Sequence, residues 1–188
     1  MLTRAFVIFS LTFASFAGAQ TAPQPVQTDL DGDGLAETAL LLYPGPGITH
    51  LLIAPVERPT VLAQDFVWRG GLGQEPSLAV SGTGNLLVSS GNQAVGRNRW
   101  LLIQTIVFRD QAYRVGGITY NWFDTADLNK GGTCDINLLT GQGVRRLVGQ
   151  DPVAYQVDLT APRIQEWNVA PLLETRDGVP LLCGVSLS

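Results

Sequence analysis

Residues 99–124 limit the possible folds more than any other stretch. Trp100, Leu102, Ile106 and Phe108 alternate with Leu101, Ile103, Thr105 and Val107. Side chains two apart share a face in a strand, so both faces of this segment are apolar. Gln104 is the one polar exception. A strand apolar on both faces belongs in the middle of a sheet rather than at its edge. The polar run Arg109-Asp110-Gln111-Ala112 predicts a turn, and Tyr113, Val115, Ile118, Tyr120, Trp122 and Phe123 predict a returning strand. Gly116 and Gly117 interrupt that return and predict a bulge or bend.

The rest of the chain repeats this theme in shorter pieces. An apolar run over 38–43 stops at Pro44-Gly45-Pro46-Gly47, and a second run over 49–54 makes a hairpin with it. Residues 55–76 are broken by Pro59, Gly70, Gly71 and Gly73 and read mostly as loop, with a strand at Phe66, Val67 and Trp68. The runs 78–80 and 86–88 flank a Gly-rich turn, which reads as a plain hairpin. Residues 124–130 read as a polar loop leading through Gly131 and Gly132. Short strands are expected at 135–139, 144–148 and 153–159, and a helical turn or two at 163–173. The prediction is an all-β domain, an antiparallel sheet curled into a sandwich or open barrel with little helix.

The second constraint is chemical. Residues 29–37 read Asp-Leu-Asp-Gly-Asp-Gly-Leu-Ala-Glu. Four carboxylates this close repel one another unless a cation neutralises them. Calcium takes six to eight oxygen ligands. Asp29, Asp31 and Asp33 offer side-chain oxygens at alternate positions, Leu35 a backbone carbonyl, and Glu37 a closing carboxylate. Gly34 stands where the chain must turn sharply around an ion. The loop begins like an EF-hand, but the twelfth position, which needs a bidentate Glu, is Leu40, and a strand follows where an EF-hand has a helix.

A compact acidic loop running directly into a strand resembles the FG-GAP or VCBS-type repeat of integrin-like propeller blades. The matching residues are Asp29, Asp31, Asp33, Gly34 and Glu37, with the strand from Thr38. The resemblance covers residues 29–43 and implies one calcium ion held by those carboxylates and the Leu35 carbonyl. A closed propeller does not follow from it. Such a fold needs at least about four blades of roughly 40 to 50 residues, and the chain carries a single loop of this kind.

The first residues predict export. Arg4 is followed by an apolar stretch over 5–16 and by Ala17-Gly18-Ala19, the pattern of a secretory signal peptide cleaved after Ala19. The apolar run is too short to span a bilayer. The expected organisation is a signal peptide over 1–19 and one β domain over 20–188. In an oxidising compartment the two cysteines, Cys134 and Cys183, are expected to pair. The stretch from Tyr113 to Gly141 resembles small exported bacterial proteins in which a strand ending Tyr-x-x-x-Asp precedes a Cys-Asp-x-Asn-x-x-Thr-Gly segment. That resemblance implies a periplasmic or extracellular location and no particular chemistry.

Several functions find no support in the residues. Twelve Lys and Arg against sixteen Asp and Glu give a net charge of −4, without the basic patch that nucleic acid requires. His50 is the single histidine, so neither a zinc cluster nor a nucleophile–base–orienter set is evident. The expected function is therefore a non-enzymatic binding or structural module, braced by calcium and presenting a surface to another macromolecule. Two alternatives stand beside it. One is a small hydrolase using Asp124, Asp127 and Asp135. The other is an inhibitor or immunity-type protein that plugs an enzyme with a protruding loop. Trp68 and Trp122 are candidates for a binding patch if exposed.

Overall fold

The computed structural model describes residues 24–69, 74–168, 170, 174–176 and 179–184. The expected signal peptide lies outside them. The chain is all-β, with thirteen strands among the described residues and only short 3₁₀ turns beside them. Two antiparallel sheets lie in a sandwich-like arrangement that does not close into a barrel. No helix among the described residues is long and apolar enough to cross a membrane.

The first sheet is a meander of β1 (Val26–Thr28), β2 (Glu37–Gly45), β3 (Ile48–Ala54) and β4 (Val61–Trp68). The second is a longer meander of β5 (Ser77–Val80), β6 (Leu86–Asn92), β7 (Asn98–Arg109), β8 (Ala112–Asp124), β9 (Asp127–Asn137), β10 (Gln142–Leu147) and β11 (Val153–Gln156). A small hairpin, β12 (Thr175–Arg176) with β13 (Val179–Pro180), leads into the final 3₁₀ turn Leu181–Cys183. As the doubly apolar pattern requires, β7 is interior to its sheet, paired with β6 and β8.

Alternation sorts the side chains between core and solvent. Leu41, Leu51, Ile53 and Phe66 of the first sheet belong to one buried cluster with Leu86, Leu102, Ile106, Ile118 and Ile136 of the second. Gly116 is the extra residue of the expected bulge: Thr105 pairs with Gly117 while Ile106 pairs with Val115. A Cβ at Gly116 would lie 2.7 Å from a methyl of Val107, so the bulge needs a residue without one.

Two expectations need adjustment. The strand within residues 55–76 is longer than Phe66–Trp68, because β4 runs from Val61 to Trp68. A register shift opposite His50 breaks its alternation, so that only the end at Phe66 reads as strand. Asp65 in that irregular stretch has φ +50° and donates its backbone N–H to His50 Nδ1 at 3.0 Å. The single histidine thus pins a β-bulge. Residues 124–130 are not a polar loop. The connection is only Thr125 and Ala126, and β9 already starts at Asp127. Leu128, Asn129 and Lys130 are exposed and fall in the register shift between the Asp124–Asp127 and Phe123–Gly131 pairs, so the start of β9 carries loop-like polarity.

Gln104, the polar exception of β7, lies in the core. It is 0% exposed and pairs in register with Val88 and Ile118. Neither atom of its amide finds a hydrogen-bond partner among the described residues. A buried amide without partners costs about 1 to 3 kcal/mol. Gln104→Met conserves much of the volume and removes the amide, so it is expected to raise stability by about 1 kcal/mol. Urea unfolding midpoints read this directly; a lower midpoint in the variant would refute it.

Candidate cation site at the acidic loop

The loop joining β1 to β2 is wound by its own carboxylates. Asp29 accepts the backbone N–H of Gly32 on one oxygen (2.8 Å) and that of Gly34 on the other (3.0 Å). Asp31 accepts from Asp33 N–H (3.1 Å), and Asp33 from Leu35 N–H (2.8 Å). These side-chain-to-backbone bonds are how Asp stabilises a tight turn. Gly32 and Gly34, at φ +77° and +89°, supply the left-handed steps between them.

Three of the four acidic side chains converge. One carboxylate oxygen each from Asp29, Asp31 and Glu37 lies within 4.8 Å of the other two. Asp33 is not in this group; it caps Leu35 N–H, and its residue is exposed, as is Leu35. Of the expected carboxylates, Asp29, Asp31 and Glu37 are brought together, while Asp33 is not in the group.

Burial separates this cluster from an ordinary acidic turn. Glu37 is 1% exposed, and the Asp31 side chain is likewise 1% exposed. Glu37 begins β2 and uses both oxygens: Oε2 accepts Leu30 N–H at 2.7 Å, and Oε1 accepts the Tyr113 hydroxyl at 2.8 Å. Tyr113 belongs to β8, so this hydrogen bond crosses from the first sheet to the second. Burial, then the bond to Glu37, push the Tyr113 hydroxyl well above its ordinary value, so it stays protonated and donates. Beside it, the Thr28 hydroxyl of β1 donates to Gly84 O in the β5–β6 turn at 2.6 Å. The acidic loop is a junction between the sheets.

The charges at this junction do not balance. Among the described residues, the cation that pairs with the Asp29, Asp31, Asp33 and Glu37 group is Arg58 of the β3–β4 connection, through Asp31. Its Nη2 is 3.3 Å from Asp31 Oδ2, and its guanidinium lies 4.5 Å over the Phe108 ring. Oδ2 of Asp31 is buried and has no hydrogen-bond partner of proper geometry among the described residues. The ligand set and surplus negative charge fit a hard divalent cation with oxygen ligands.

The carboxylates of the alternative catalytic reading are otherwise engaged. Asp124 receives two bonds from Arg97, at 2.8 and 2.5 Å, and accepts Ala126 N–H at the β8–β9 turn. Asp127 pairs with Lys130, while Asp135 accepts the Thr119 hydroxyl and faces Arg146. Asp124 pairs in register with Asp127, whereas Asp135 pairs with Thr119, five positions back along β8. Asp124 and Asp127 are thus neighbours at the β8–β9 turn, each with a cationic partner, and Asp135 lies further along the ladder.

The Arg97 bonds, followed by the Ala126 N–H, hold Asp124 at about 2, below the ordinary 3.8. A carboxyl depressed on folding adds stability above its unfolded value, and that contribution is lost as pH falls from 3.8 toward 2. Arg97→Gln is expected to remove this part of the acid dependence. Melting temperatures across pH 2 to 7 should then converge for the two proteins at the acid end and separate above it. Parallel curves would contradict the assignment.

Cys134 of β9 and Cys183 of the final 3₁₀ turn form a disulfide, both sulfurs fully buried. Such bonds persist in oxidising compartments. In comparisons with known proteins, no family, curated protein or solved structure matches this chain.

Proposed function

We propose that the chain is an exported, non-catalytic β domain, a binding or structural module whose 29–37 loop holds one calcium ion as a brace between the two sheets. The observation that carries this reading is the convergence of exposed Asp29 on the buried Asp31 and Glu37 side chains, with Arg58 the cation paired with them among the described residues. Oxygen ligands, surplus negative charge and a pre-wound loop favour calcium over softer metals. The buried disulfide and the signal-like first residues support export.

The test is thermal unfolding of the protein in EGTA and in millimolar calcium. A cation bound only by the folded state raises stability by roughly 1 to 3 kcal/mol when its dissociation constant lies well below the free concentration. Superimposable melting curves would remove calcium from the account.

The Arg58 contact favours a second reading, in which the guanidinium is itself the counter-charge and the loop is a metal-free clasp. Arg58→Gln separates the two. Under the calcium reading it leaves calcium-dependent stabilisation in place or enlarges it. Under the clasp reading it destabilises the protein in both buffers alike.

A further inference from the structure

Among the described residues, Asp31 is the member of the converging group that has a cationic partner, and the partnership is a loose one. One oxygen of Asp31 accepts Asp33 N–H. The other, Oδ2, is buried and meets only the Arg58 guanidinium, 3.3 Å away and without hydrogen-bond geometry. Other guanidinium–carboxylate pairs in the protein are built differently. Arg69 gives two hydrogen bonds to Glu75, and Arg97 gives two to Asp124. Two parallel bonds of that kind make the strong form of the pair. Arg58 offsets the charge of Asp31 without satisfying its oxygen.

Arg58 also has a second seat. Its guanidinium lies 4.5 Å over the Phe108 ring, and Phe108 packs against Tyr113 with centroids 5.0 Å apart. Tyr113 in turn donates to Glu37. Asp31 and Glu37 are therefore linked through Arg58, Phe108 and Tyr113 as well as along the loop. A guanidinium over an aromatic face keeps a favourable contact there when its carboxylate is taken away. The loop does not need Arg58 for its shape, because the N–H groups of Gly32, Asp33, Gly34 and Leu35 bond to Asp29, Asp31 and Asp33.

A divalent ion and a guanidinium on one carboxylate repel each other, so they compete for Asp31. We propose that Arg58 is a tethered counter-ion that calcium displaces. Without calcium the guanidinium pairs with Asp31. With calcium, Asp31 gives its buried oxygen to the ion, and Arg58 stays on Phe108 and gains solvent. The metal-free clasp and the calcium brace are then two states of one loop, exchanged without unfolding it. The inference rests on the reading of the loop as a calcium site and adds a competitor to it. That competitor lowers the apparent calcium affinity by the fraction of molecules in which Asp31 is free, and so sets the calcium concentration at which the brace forms.

The test takes two measurements on metal-stripped protein. In calorimetric titrations with calcium, Arg58→Gln should bind at least tenfold tighter than the wild-type protein. Arg114→Gln removes an equal charge from a guanidinium held by Asp110 and the Ala161 carbonyl, and should change the affinity less than threefold. In the wild-type protein, phenylglyoxal should modify Arg58 at least threefold faster in millimolar calcium than in EGTA, read by peptide mass spectrometry with Arg146 as the internal reference. Equal calcium affinity in the wild-type protein and Arg58→Gln, equal tightening by Arg114→Gln, or Arg58 labelling no faster in calcium would overturn the displacement and leave the calcium site standing. Calcium binding by neither the wild-type protein nor Arg58→Gln would remove the site and this inference with it.

Discussion

Removing the Cys134–Cys183 bond, as Cys134→Ala with Cys183→Ala, is expected to cost about 4 kcal/mol, the chain-entropy value for a closed loop of this size. The bond spans 49 residues, which include β10, β11 and the C-terminal hairpin. Cys183 also anchors its surroundings through the backbone. Its carbonyl accepts from Arg145 at 3.2 Å, and that of Leu182 accepts from the Tyr155 hydroxyl at 3.3 Å. Those two bonds survive in the variant, so the end segment should loosen before the sheet does. For a domain of this size the loss corresponds to roughly 10 °C in melting temperature. Urea unfolding measures it, and a loss below about 1 kcal/mol would show that the unfolded chain is not restricted by the bond.

The next largest effect is expected at Glu37. Glu37→Ala strands two donors, the Leu30 N–H and the buried Tyr113 hydroxyl. Hydrogen bonds to a charged group are worth about 1.5 to 3 kcal/mol, and an orphaned buried donor adds its desolvation cost, so a loss of about 3 kcal/mol is expected. Glu37→Gln keeps an acceptor oxygen but removes the charge. It should therefore lose less stability in EGTA than Glu37→Ala, while losing the calcium response completely. If the two variants were equally stable in EGTA, the hydrogen bonds across the sheets would not be the structural contribution of this residue. If Glu37→Gln kept a full calcium response, its carboxylate would not be a ligand.

Much of this architecture is legible in the residues, and the exceptions have local causes. The long hairpin of β7 and β8 announces itself because both faces of β7 are apolar and the turn between them is polar. The two turn residues, Asp110 and Gln111, both have positive φ, as a tight two-residue hairpin requires. The sequence also indicates a bulge at Gly116–Gly117 and the cysteine pairing. It hides the first part of β4, residues 61–65, because the shift at His50 breaks the period-two pattern on which strand reading depends. It hides the start of β9 for a different reason. Exposed side chains there carry no hydrophobic signal, although Phe123 and Trp122 pair with Gly131 and Gly132 across the ladder.

The acidic loop shows the same division. Its composition points to Asp29, Asp31, Asp33 and Glu37, but spacing along the chain cannot say which oxygens meet. The fold turns Asp33 outward to cap Leu35 and brings Glu37 inward under Tyr113, which lies 76 residues away in sequence. Arg58 and Phe108 are invisible from the loop itself, since they reach it through the β3–β4 connection and the far end of β7. Gln104 stands out in the sequence as the polar member of an apolar strand; only the packing shows that it is fully enclosed.

The most direct test of the central claim is a calorimetric titration of metal-stripped protein with calcium, with Asp31→Asn alongside. The account predicts one calcium ion per chain for the wild-type protein and at least a tenfold weaker site in the variant, because Asp31 carries a buried oxygen that meets only the Arg58 guanidinium among the described residues. No binding heat and no calcium retained by the wild-type protein, or identical isotherms for the two proteins, would contradict it.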